Sequence, residues 1–178
     1  VNGAILEDVG QWKSPWYFPL NSSETMHDAV QRESKAVREF AGVLDGSTLG
    51  KIEIKGKDAL SFMNLIYTNS FSKMKPGSAR YALMLGEDGM VKDDGIISKI
   101  SDEHFIATTT TGGAATVLGC MEEYAQTEWP NLNVYMNSIT EQFATFNISG
   151  TKTRENMNKV FQEIDFSNYA FPFMKFQF

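Results

Sequence analysis

The chain has one cysteine, Cys120, so it can form no internal disulfide and no cysteine-rich metal site. That usage suits a reducing compartment. Histidine is nearly as scarce, and His27 and His104 are too isolated to suggest a metal site or a catalytic triad. No apolar run of about 18 residues is present, and the first ten residues carry neither the basic region nor the apolar stretch of a secretory leader. Basic clusters are also missing: 16 Lys and Arg against 22 Asp and Glu leave a net charge of −6. Nothing here would follow a phosphate backbone, so neither nucleic acid nor a membrane is expected as a partner. Neither the P-loop nor the dinucleotide glycine spacing occurs. The two Asn-X-Ser sequons, at Asn21 and Asn147, are short enough to arise by chance. The expectation is a soluble cytoplasmic protein. Over 178 residues, 42% hydrophobic and 12% aromatic content is enough to fill a sizeable core.

Residues 1–22 hold Gly3, Gly10, Pro15 and Pro19 with three clustered rings, and read as an irregular arm, with a domain over 23–178. Ser22 or Ser23 offers an N-cap for a helix to about Phe40. Leu44-Asp-Gly46 reads as a turn, 51–55 as an alternating strand and 58–67 as a helix. Strands at 79–85 and 90–100 flank Glu87-Asp-Gly89, which has the residues of a tight hairpin turn. A strand at 104–108, a helix at 114–126, strands at 133–136 and 141–148 and a helix at 152–163 complete the order. Hairpins between single helices indicate α+β with mixed pairing.

An internal repeat stands out. Ile52-Glu-Ile-Lys-Gly56 through Ile66 aligns with Phe146-Asn-Ile-Ser-Gly150 through Val160 at a constant offset of 94, each copy reading strand, glycine, helix. Chance similarity of two generic units is the competing explanation. Only 18 residues follow Val160, so the second unit reads as truncated.

The segment with most chemistry runs from Tyr81 to Asp93-Asp94-Gly95. Side chains alternate along a strand, so one of Asp93 and Asp94 must face the apolar layer, where a carboxylate costs several kcal/mol unless it is paired. Alternatively, Asp94-Gly95 is itself a turn or bulge and both acids are solvated. Tyr81 falls on the partner strand, where a phenol can meet a carboxylate or simply fill the core. Residues 108–113, four threonines and two glycines before a helix, could present amides and hydroxyls to a polar ligand or merely cap the helix. Cys120 reads as a small core residue.

Val9-Gly-Gln-Trp-Lys-Ser-Pro-Trp16, Ile66-Tyr-Thr-Asn69, Glu87-Asp-Gly-Met-Val-Lys-Asp-Asp-Gly95, Thr108-Thr-Thr-Thr-Gly-Gly-Ala-Ala115 and Gln126-Thr-Glu-Trp-Pro130 lie at intervals over nearly the whole chain. Through them it resembles the carboxyl-terminal folate-binding region of the α subunit of heterotetrameric sarcosine oxidase, in the superfamily of the glycine-cleavage T-protein, an aminomethyltransferase. The resemblance implies a duplicated strand and helix fold around a folate site. It implies that tetrahydrofolate accepts the one-carbon unit released from sarcosine, giving 5,10-methylenetetrahydrofolate, with FAD, FMN and NAD held only elsewhere in the complex and its other subunits as partners. By the same resemblance an aspartate lies near N10 of the folate: Asp94, or Asp93 as runner-up. Leu49 matches a hydrophobic position that packs on the folate rings, with Tyr81 beside the site. Thr110, next to Thr109, falls where the T-protein has an asparagine near the pterin. The family's later glutamate and arginines do not follow Phe178, so the chain reads as a fragment whose folate site is incomplete, and its ring-rich end would need covering. Two other readings stand beside this one: a scaffold module that contacts other subunits, and a related folate-dependent aminomethyltransferase or demethylase.

Overall fold

The computed structural model describes residues 3–177, so the final ring, Phe178, lies outside the described residues. The chain divides into two compact units, one of residues 1–48 with 144–172 and one of 49–143 with 173–178.

In the first unit the expected irregular arm is instead a β-hairpin, β1 (Ile5–Val9) against β2 (Trp12–Tyr17), turning at Gly10 with φ 63°. Pro15 is tolerated because a two-stranded ribbon has only edge strands. Helix α1 (Met26–Glu39) starts later than expected. The Asn21 carboxamide accepts from Ser23 N, Ser23 Oγ and Glu24 N, which occupies the serine segment in a turn. Thr25 then caps the helix in a reciprocal box with Asp28. The expected turn near residue 45 is a strand, β3 (Gly42–Asp45).

The second unit opens with β4 (Gly50–Lys55) and α2 (Ala59–Ile66), then β5 (Ser78–Leu85), β6 (Val91–Ser101) and β7 (His104–Thr109). Helix α3 (Ala114–Thr127) and β8 (Tyr135–Ser138) follow, and 140–142 form a 3-10 turn rather than strand. The sheet order is β5-β6-β7-β4-β8 and every pairing is antiparallel. One face carries Ile52, Ile54, Ala82, Met84, Ile97, Phe105 and Ala107, packed on Phe62, Met63 and Ile66 of α2 and Val117 and Met121 of α3. Each large side chain buried there contributes about 1.5–3 kcal/mol. Lys99 also points into this face, where its ammonium is matched by Asp102 at 2.6 Å and lies 5.7 Å from the Phe105 ring centroid.

The chain returns to the first unit through β9 (Phe146–Ser149) and α4 (Thr153–Val160). Here the offset of 94 becomes geometry. Gly56 and Gly150 follow β4 and β9 with φ of 135° and 128°. Asp58 N donates to Asn133 O at 3.2 Å, and Lys152 N donates to Phe40 O at 2.7 Å. Each accepting carbonyl lies just ahead of the strand that pairs with its copy: β8 with β4, and β3 with β9. A helix precedes each of those partner strands, α3 and α1 respectively. The two copies thus share a strand, a positive-φ glycine, a helix and the same backbone bond to the partner segment.

Candidate functional site

The site is built on the hairpin of β5 and β6. Gly89, at φ 77°, closes the turn, as the Glu-Asp-Gly sequence requires. Beyond the turn Met84 pairs with Asp93 and Leu85 with Val91, so Lys92 is an extra, bulged residue on β6. β6 then continues without a break through Asp94 and Gly95, which rules out a turn there. Gly95 is needed for packing: a Cβ at that position would collide with the carbonyl oxygen of Thr108. Thr108 Oγ1 accepts from Ile96 N at 2.8 Å and donates to Ile96 O at 3.0 Å, so a side chain joins β6 to β7 beside Asp94.

The two aspartates separate as strand alternation requires. Asp93 faces the helices and is 7% exposed. Its carboxylate accepts from Thr110 Oγ1 at 2.6 Å and from Thr110 N at 3.2 Å. Thr110 Oγ1 in turn accepts from Gly113 N at 3.1 Å, which sets the entry to α3. Asp94 points to the other face of the sheet, where Tyr81 donates to Asp94 Oδ2 at 2.6 Å. In register Leu83 pairs with Asp94 and Ile96 with Tyr81, so this polar pair has apolar neighbours on its own face. The hydrogen bond to Asp94 holds the half-exposed Tyr81 phenol above the ordinary tyrosine range, and desolvation adds to the shift.

The structure thus joins Asp94 with Tyr81 and Asp93 with Thr110, on opposite faces of one strand. Thr109 is 3% exposed and donates to Thr110 O. Leu49 precedes β4, half-exposed, and its carbonyl accepts from Lys51 Nζ at 2.8 Å. Sequence reasoning missed the bulge at Lys92, which has no composition signal, and the role of Gly95, which depends on how closely β7 approaches. Across the sheet, Glu53 bonds His104 Nε2 at 2.9 Å and Lys55 Nζ at 2.7 Å; Lys55 and then His104 hold its carboxyl below the usual range, against a smaller desolvation cost.

Residues 1–178 match the GCVT N-terminal domain family. The chain belongs to that family. It is 52% identical over 177 residues to the sarcosine oxidase subunit alpha of Corynebacterium sp. (strain U-96), covering 99% of this chain and 18% of the relative. It is 44% identical to the sarcosine oxidase subunit alpha of Rhizobium meliloti (strain 1021), covering 97% and 17%. An aminomethyltransferase of Thermoanaerobacter pseudethanolicus is 29% identical, over 98% of this chain and 43% of the relative. The GCVT-family chain therefore spans about a fifth of the α subunits it matches. Its fold matches the crystal structure of glycine cleavage system aminomethyltransferase T from Bartonella henselae, with a TM-score of 0.79 at 20% identity, over 98% of this chain and 43% of that one. This mixed helix and sheet GCVT fold carries the expected duplicated strand and helix units. No helix among the described residues is long and apolar enough to cross a membrane.

Proposed function

We propose that this chain is the tetrahydrofolate-binding part of a sarcosine oxidase α subunit, with Asp94 as the acid/base and electrostatic group for one-carbon transfer. The observation that carries this reading is the 2.6 Å bond from Tyr81 to Asp94 on the sheet face away from the helices. Tetrahydrofolate would supply a weakly basic amine that accepts the one-carbon unit. The donor set fits such a group: a carboxylate held by a phenol, among apolar neighbours, can accept a hydrogen bond from an amine without closing over it. Asp94 takes up the proton the amine loses and stabilises the positive charge that develops. Tyr81 donates to Oδ2 and fixes the carboxylate, leaving the other oxygen to face the amine. Leu49 contributes apolar surface for the rings. Thr110 and Thr109 act through the loop they hold, with Thr110 locked on Asp93. Domain limits of 23–178, with 1–22 as a separate arm, remain part of this proposal, as do the other oxidase subunits as partners and a cytoplasmic setting.

Isothermal titration of tetrahydrofolate into a chain extended past Phe178 tests the reading. Binding heat that disappears in Asp94→Ala is the expected result; no heat from the unsubstituted chain overturns it. A scaffold role is favoured by the exposure of Tyr169 at 97% and Phe173 at 86%, and it gains support if subunit assembly persists without folate binding.

A further inference from the structure

Behind the sheet, on the helix side, two nucleophiles touch. The bulge on β6 sends Lys92 towards α3, where its Nζ donates to Cys120 Sγ at 3.4 Å. The sulfur lines a cavity of about 240 Å³ shared with Leu65, Met84, Leu85, Tyr124 and Trp129. Close by, Tyr67 is 6% exposed. Burial keeps its phenol protonated, with the charges of Asp93 and Cys120 adding to the shift. An amine and a thiol thus meet, with the thiol on the wall of a small cavity. The folate site as proposed uses neither of them.

We propose that Lys92 and Cys120 form a paired-nucleophile site that takes up formaldehyde as a one-carbon bridge between sulfur and nitrogen. The supply of formaldehyde rests on the one-carbon reading above; the reactivity of the pair does not. The Cys120 thiol adds to the carbonyl carbon, its proton passes to the carbonyl oxygen, and a hydroxymethyl thioether forms. The unprotonated Lys92 amine then attacks the same carbon: a C–N bond forms, the C–OH bond breaks, and the hydroxyl leaves with the amine's proton as water. No oxidant or reductant takes part. Cys120 is the main cause holding the Lys92 ammonium above the ordinary lysine range, with smaller charge effects from Tyr124 and Glu123 and a desolvation effect that opposes them. Once the sulfur carries the carbon that hold weakens, and the amine is released for the second step. A single carbon between S and N needs the two atoms only slightly closer than they are, and the flexible lysine stem allows that movement.

The test is peptide mapping by mass spectrometry after the 178-residue chain meets dilute formaldehyde. The expected product joins the Lys92 and Cys120 peptides with a gain of one carbon, and forms at least about tenfold faster than adducts at other lysines, as an intramolecular second step should. Lys92→Gln, at an exposed position that leaves the fold intact by circular dichroism, should retain only a thiol adduct that reverses on dilution. The chain unfolded in sodium dodecyl sulfate should lose the selectivity. Adducts spread over surface lysines at one common rate, or a bridge that forms equally in the detergent-unfolded chain, would overturn the proposal. Because formaldehyde is added directly, a missing bridge counts against this pair alone, and missing folate binding counts against the folate reading alone.

Discussion

Asp93 and Asp94 are chemically identical neighbours with opposite surroundings, and the difference sets what each can do. Asp93 is buried and accepts two bonds from Thr110, so Asp93→Ala removes the carboxylate that organises the entry to α3. The expected cost is about 1–3 kcal/mol, read as a lower urea midpoint. Asp94→Ala, on the more open face, should change stability by no more than about 0.5 kcal/mol. The Tyr81 phenol gives a second readout. Its pKa is raised in the folded state, so the stabilisation from its bond to Asp94 is fully present below the unfolded tyrosine value of 10.0 and is lost as pH rises through the folded value. Ultraviolet phenolate titration should find Tyr81 ionising above the ordinary tyrosine range, and Asp94→Asn should return it towards that range. Alternation along a strand required one of the two acids to face the apolar layer, but the sequence also allowed a turn or bulge at Asp94-Gly95 with both acids solvated, which the unbroken β6 excludes. Which acid faces that layer was not legible, because the bulge at Lys92 shifts the count between the turn and the aspartates.

At the scale of elements, the repeat is the feature most open to challenge by mutation. Gly56 and Gly150 both have positive φ, and a Cβ at either would press on backbone atoms, Asn133 O for one and Phe40 O for the other. Gly56→Ala and Gly150→Ala should each destabilise by more than about 1 kcal/mol, whereas alanine at Gly119, where a Cβ meets nothing, should be neutral or stabilising. Thermal melts of the three variants check this. Helices α2 and α3, the strands of the hairpin and β7 were legible from periodicity and from local turn chemistry. β3 was not, because its four residues gain their strand character by pairing with β9, about a hundred residues later in sequence. The hairpin of β1 and β2 was hidden for a different reason: glycine and proline usually mark irregular chain, yet here Gly10 makes the turn and Pro15 sits on an edge.

For the molecule as a whole, burial is unequal. The hydrophobic cluster belongs entirely to the unit of residues 49–143 with 173–178, while the other unit buries Ala29 but leaves Val43, Leu44 and Phe146 largely exposed. Hydrogen exchange should therefore be slowest at the amides of β4 and β7 and much faster in β3 and β9; equal protection would contradict this ranking. Composition could show that the chain holds enough apolar residues for a core, but not that one unit would take nearly all of it. The proposed site follows the same division, since Asp94, Tyr81, Leu49 and the threonines all lie on the well-buried unit, whose packed sheet would hold the carboxylate in place for the proposed proton transfer. The most direct measurement of that central claim is the rate of one-carbon transfer to tetrahydrofolate in the complete subunit assembly, compared between the unsubstituted protein and Asp94→Ala. A loss of about 10²–10⁴-fold, with a smaller loss in Tyr81→Phe, is the predicted result; an unchanged rate in Asp94→Ala would contradict it.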